Sequence, residues 1–161
     1  MKALSIIFTL ILLSGCVTPE SLGLTPISKD QLETSTIVEI KDSTQAELYE
    51  RARQFVADSF KSAQAVIQYE SKEQGRIIGK GVVGGYQEAG IGSYYIQYNF
   101  SFTIDIKNGK ARLTTSNYIH APSNHPIIYS QELDSLQPEL NSLRTSFSKR
   151  MNEPASDGGD W

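Results

Sequence analysis

One cysteine in 161 residues leaves no partner for an intramolecular disulfide and no Cys-rich zinc site. Histidine is nearly as scarce, with His120 and His125 the two present. Positive charge shows no excess. The chain has 15 Lys/Arg against 18 Asp/Glu, a formal net of -3, without the basic balance that nucleic-acid binding usually carries. No apolar run reaches the roughly 20 residues that a membrane-spanning helix needs. The motifs G-x-S-x-G and H-E-x-x-H are missing, S-x-x-K has none of its partner motifs, and no internal repeat is visible. What is present suits a globular chain. With 39% hydrophobic, 20% charged and 9% aromatic residues it has enough for one core, and it is too short for two full-sized domains.

The N-terminus carries the most specific signal. Lys2 supplies a positive start, Ala3 to Leu13 an apolar stretch, and Leu13-Ser14-Gly15-Cys16 closes it. The apolar stretch has the length of a signal-peptide core. The four closing residues resemble the lipobox of bacterial lipoproteins. That resemblance implies removal of residues 1–15 and acylation of Cys16, which becomes the first residue of the mature chain. Each buried CH₂ contributes about 0.8 kcal/mol and a single chain binds only marginally, so two or three acyl chains give a stable anchor. Residues 16–35, with two prolines and no sustained period, read as a flexible tether. Residues 152–161 (NEPASDGGDW) read as a disordered acidic tail. The folded domain is then 36–151, with 13 Lys/Arg against 12 Asp/Glu, so the negative balance belongs to the ends. A net of that size predicts little long-range steering of a charged partner.

Within the domain, alternation and spacing predict seven elements. Thr36 to Ile40 is β-branched and alternating, a short strand. Thr44 and Glu47 have capping-box spacing, so a helix follows to about Lys61, with Leu48, Ala52, Phe55, Val56 and Ser59 on one stripe. Strands are predicted near 65–69 and 76–83, around a polar turn at Gly75. From Tyr94 to Lys107 every even residue is apolar or aromatic and the odd ones, Tyr95 excepted, are polar, which only a half-buried strand explains. Asn108-Gly109 predicts a two-residue hairpin that pairs Lys107 with Lys110, Asp105 with Arg112 and Ile104 with Leu113. After a loop at 120–128, Leu133, Leu136, Leu140, Leu143, Phe147 and Met151 step as a helix, with a break expected near Gln137 because Pro138 lies inside the pattern. The order β-α-β-β-β-β-α makes one antiparallel sheet with both helices on one face, an α+β class.

The stretches TIVEI, LYERARQF, FKSAQAVIQYE and GRIIGKG, over about residues 37–118, resemble a bacterial domain family of unknown function with a TATA-binding-protein-like fold (DUF4468-like). The resemblance implies that fold. It carries no active-site residues, and the fold name implies no DNA binding, because fold does not fix function.

Four features bear on chemistry. Gly79-Lys80-Gly81-Val82-Val83-Gly84 matches G-x-G-x-x-G, yet no helical period follows, as a dinucleotide site requires. A strand closely approached at its glycines, followed by a mobile loop at 84–93, is the better reading. His120 and His125 would be half a zinc site, with Glu132 or Asp134 as a third ligand, but they fall in a proline-bearing loop with no second motif. Among the eight tyrosines, Tyr94 and Tyr98 share the core parity of their strand. Tyr95, Gln97, Asn99, Ser101 and Thr103 lie on the opposite parity and form the candidate binding face, away from both helices.

The sequence thus leads to a membrane-anchored envelope lipoprotein with a non-catalytic domain that binds a protein or glycan. The alternative is a hydrolase acting on envelope material. The bilayer, through acylated Cys16, and an envelope protein or glycan are the expected partners, with no nucleic acid, cofactor or metal. In a Gram-negative envelope the outer membrane is favoured over the inner.

Overall fold

The computed structural model describes residues 23–60, 66–90 and 92–153. The signal segment 1–15, Cys16 and the tail from residue 154 lie outside the described residues. Five strands and two helices follow in the expected order: β1 (Thr34–Glu39), α1 (Gln45–Ser59), β2 (Val66–Ser71), β3 (Arg76–Ala89), β4 (Gly92–Lys107), β5 (Lys110–His120) and α2 (Ser130–Asn152). All pairings are antiparallel and the sheet runs β1-β5-β4-β3-β2. The fold is α+β with a single sheet.

Local chemistry sets the element ends. Thr44 caps α1: its Oγ1 accepts from the Glu47 N–H at 3.3 Å, and Glu47 Oε2 accepts from the Thr44 N–H at 2.8 Å. Two amides that a helix start leaves unpaired are thereby satisfied. Leu48, Tyr49, Ala52, Phe55 and Val56 form its buried stripe, and Ser59, expected there, is exposed. The Asn108-Gly109 turn gives the predicted register, Lys107 opposite Lys110, Asp105 opposite Arg112 and Ile104 opposite Leu113.

The core lies between the sheet and the helices. Ile96, Tyr98, Phe100, Phe102, Ile104 and Ile106 of β4 are buried in strict alternation. Phe60, at the end of α1, stacks on Phe102 with ring centroids 5.1 Å apart, and Phe55 meets Phe147 of α2 edge-on at 5.2 Å. Burying each such aromatic contributes about 1.5–3 kcal/mol. Tyr94 departs from its parity. It is 50% exposed, because β4 there extends past the cover of the helices, and its hydroxyl bonds Gln87 Oε1 at 3.2 Å.

Three expectations change. The glycine-rich stretch 84–93 is not a mobile loop: β3 runs on to Ala89, pairs with β4 as far as Ala89 opposite Gly92, and turns at Gly90 with φ 56°. Pro138 does not break α2, which runs unbroken over 23 residues with Pro138 inside it. The missing amide and ring clash cost about 3 kcal/mol. Leu133, Leu136 and Leu140 reach one core from both sides of the proline, and their combined burial exceeds that cost. The stretch 16–35 was expected as a tether, yet from Gly23 onward it is bonded to the domain. Gln131 Nε2 donates to the Gly23 carbonyl at 2.7 Å, the Ile27 amide to the Ile128 carbonyl at 2.9 Å, and Lys29–Leu32 forms a 3₁₀ turn. Ile27 and Leu32 pack on the core, which supplies the apolar burial that a tether lacks.

Candidate functional site

Because the helices cover one face, the other face of the sheet presents one parity from every strand. On β4 this is Tyr95, Gln97 and Asn99, all exposed, then Ser101 and Thr103, half-buried. Register brings neighbours from flanking strands beside them. Thr103 stands opposite Thr114 of β5 and Ile78 of β3, and Ser101 opposite Ser116 and Lys80. Ser35 of β1 continues the row, its Oγ 2.9 Å from Thr114 Oγ1. A bulge then inserts one extra residue in β5 between the partners of Asn99 and Ser101. Asn117 takes it up at φ 55°, which keeps Tyr118 in the core and places the Asn117 amide 3.5 Å from Ser101 Oγ. Lys80, Asn99, Ser101, Asn117 and Asn124 line a hollow of about 330 Å³ above this bulge. Its walls offer three carboxamides, a hydroxyl and an ammonium, a set that reads hydroxyl and carboxylate groups.

Tyr95 is only partly on this face. Its ring crosses the outer side of Gly84, where a Cβ would sit 1.9 Å from the Tyr95 hydroxyl. The hydroxyl donates to Glu139 Oε1 of α2 at 3.2 Å, and Glu139 Oε2 accepts from the Gly84 amide at 2.7 Å. Among the described residues the pairing of β2 with β3 reaches Lys80, and Glu139 meets the edge of β3 beyond it, at Gly84. This corrects the expectation that Tyr95 would face wholly away from the helices. Gly85, on the other side of the strand, lets the Ser135 carbonyl of α2 approach to where a Cβ would be 2.2 Å away. Burial and the Glu139 carboxylate push the Tyr95 phenol above its ordinary range. Tyr86 meets Tyr95 at 5.1 Å between ring centroids, so two exposed tyrosines end the face.

The opposite end is cationic. Asp105 of β4 lies between Arg76 of β3 and Arg112 of β5, at 2.7 and 2.6 Å. Burial pushes the Asp105 carboxyl up, but the guanidiniums of Arg112 and Arg76 outweigh it and hold it below the usual carboxylate range. Lys110 pairs with Glu39 at 2.8 Å. Lys80 and Lys107 make no ion pair among the described residues. Five cations thus share this part of the face with three carboxylates, Asp105, Glu39 and Glu33 beside Ser116, while α1 and α2 carry six carboxylates against five cations. The near-zero net charge read from sequence hides this segregation. The Asp105–Arg112 pairing was legible from the hairpin, whereas Arg76, Lys80, Asn117 and Asn124 join the site through the β3 register, the bulge and a loop.

The remaining candidates fall elsewhere. Gly79, Gly81 and Gly84 all lie within β3 and no helix follows them, so the strand reading of G-x-G-x-x-G holds. His120 Nδ1 bonds Ser123 Oγ and its ring packs on Tyr98, whereas His125 is exposed. Glu132 is engaged otherwise: Oε1 accepts from the Tyr98 hydroxyl and Oε2 from the amides of Ile128 and Tyr129. Burial, then Glu132, raises the Tyr98 phenol. Among the described residues no three His, Cys, Asp or Glu converge as a metal site, and no helix is long and apolar enough to cross a membrane. A larger hollow of about 870 Å³ lies between Ile27–Glu33 and β5, with Lys29, Asp30 and Glu33 at its rim over Ile27, Leu32 and Ile127.

A family model described as a domain of unknown function (DUF4468) with TBP-like fold matches residues 35–120. Among solved structures, the chain is similar to a DUF4468 family protein from Bacteroides ovatus at 11% identity and a TM-score of 0.62, covering 81% of this chain and 92% of that one. It is also similar to a TBP-like protein from Parabacteroides distasonis at 10% identity and a TM-score of 0.63, covering 80% and 97%. At these identities the likeness is one of fold. No curated protein matches the chain.

Proposed function

As this chain belongs to the DUF4468 family of domains with a TBP-like fold, we propose that it is a membrane-anchored envelope lipoprotein whose domain binds a protein or glycan through the open face of its sheet. The observation that carries the reading is the face itself. Gln97, Asn99, Ser101 and Thr103 share it with hydroxyls and amides from β1 and β5, Tyr95 lies at its end, and among the described residues no helix lies over the four. Sheet faces in this position are free to accept a partner. The Leu13-Ser14-Gly15-Cys16 lipobox supports the anchor, with the bilayer as second partner through acyl chains on Cys16. The hydrogen-bonding groups of the face support binding as the role.

Two variants test the two halves. Cys16→Ser moves the protein out of the membrane fraction, and unchanged membrane association contradicts the anchor. Asn99→Ala with Ser101→Ala lowers the yield of partner crosslinked in intact cells and leaves the melting temperature nearly unchanged. Full capture by that variant contradicts the binding face.

A further inference from the structure

We infer that the open face takes an acidic polysaccharide, with one carboxylated sugar unit in the hollow formed by Lys80, Asn99, Ser101, Asn117 and Asn124. The inference rests on the binding reading above and names its ligand class.

The charge of the face favours an anionic ligand. Arg76, Lys80, Lys107, Lys110 and Arg112 gather on one end of the face against Asp105, Glu39 and, beside Ser116, Glu33. On the same parity Glu88 sits at the far end, beside the β3–β4 turn. Asp105 does not neutralise its two arginines; it orients them. Both guanidiniums remain about half exposed, at 47% and 49%, with donors left for a second carboxylate. Lys107 and Lys110 stand directly opposite each other, a like-charge pair that destabilises a hairpin. An anion laid across the face would relieve that repulsion.

The middle of the face narrows the ligand further. A lipid surface would use the cations and leave the carboxamides of Asn99, Asn117 and Asn124 without a role, and an acidic peptide would reach them through its backbone alone. A polysaccharide uses both, its carboxylate meeting Lys80 and its hydroxyls meeting amide and hydroxyl groups that serve as donor or acceptor. The hollow of about 330 Å³ is of the size that small-molecule sites occupy. Exposed rings of Tyr86 and Tyr95 continue the track at the other end and offer apolar surface to a sugar ring.

The test is affinity electrophoresis of the full chain, in neutral detergent, through gels containing polygalacturonate, its fully methyl-esterified form or poly-L-glutamate. Retention by polygalacturonate alone is expected. Lys80→Gln with Lys107→Gln, and separately Asn99→Ala with Asn124→Ala, each weaken it about tenfold, the loss of one charged or two neutral hydrogen bonds. Lys72→Gln with Lys149→Gln, an equal charge change on the helix side, leaves retention unchanged. The inference is overturned by equal retention in the esterified gel or in poly-L-glutamate, by no retention in any gel, or by indifference to the asparagine substitutions. A partner crosslinked in cells at Asn99 without polygalacturonate retention removes the acidic sugar and leaves the binding reading standing.

Discussion

The Tyr95 hydroxyl on β4 donates to Glu139 of α2 at the edge of β3, at 3.2 Å, while the same carboxylate takes the Gly84 amide at 2.7 Å. One side chain from the helix layer thus closes a strand edge that would otherwise present a free donor for pairing with another chain. Tyr95→Phe removes the hydroxyl and Glu139→Gln weakens the acceptor. Each is expected to cost about 0.5–1.5 kcal/mol, and the double variant less than the sum, because both act on the Tyr95–Glu139 bond. Urea unfolding of the four proteins checks this. Full additivity contradicts the contact.

Gly85 faces the helix side of the same strand. A Cβ there would lie 2.2 Å from the Ser135 carbonyl oxygen, a backbone atom that moves only with α2. Gly84→Ala meets the tip of a tyrosine side chain instead, which swings away more cheaply. Gly85→Ala is therefore expected to cost about 1–3 kcal/mol, more than Gly84→Ala. Denaturant midpoints rank the two, and the reverse ranking contradicts the close packing of α2 on β3.

Phe102 is buried against Phe60. Phe102→Ala is expected to lower stability by about 3–5 kcal/mol. Ser101→Ala and Thr103→Ala, on the open side, are expected to stay within about 1 kcal/mol. A larger loss at Ser101 than at Phe102 would invert the two faces of β4.

Legibility followed the physics of each element. Strand β4 was readable because its alternation is a period that only a half-buried strand satisfies, and the hairpin because Asn108-Gly109 selects its turn. The cap at Thr44 was readable for the same local reason. Residues 84–89 were not, since glycines carry no side chain to mark a face. What they make room for, Tyr95 on one side and Ser135 on the other, is distant in sequence. Pro138 misled because local propensity speaks against it, while the leucines on either side share one core. Of the site, the β4 half was legible from parity. The contributions of Arg76, Lys80, Asn117 and Asn124 came from register, a bulge and a loop, none of which a periodicity encodes.

Acid sensitivity follows from Asp105. Its carboxyl is held below the ordinary value of 3.8 in the folded chain, so the ion pairs add stability that is fully present above that value. That stability is lost as pH falls through the folded value, because the unfolded chain binds the proton first. Asp105→Asn is expected to be less stable at neutral pH and to lose less on acidification from about pH 4 to pH 2 than the native chain. Parallel acid limbs for the two proteins would show that Asp105 is not held by Arg76 and Arg112.

The central claim, that the open sheet face is where a partner docks, is tested most directly by a photo-crosslinking amino acid placed at Asn99 and, in a second protein, at Thr145 on the exposed side of α2. After illumination of intact cells producing each protein, the adduct is measured as a fraction of the total chain. A defined adduct from Asn99 and none from Thr145 is the predicted result. An adduct from Thr145 with none from Asn99 would place the partner on the helix layer and contradict the account.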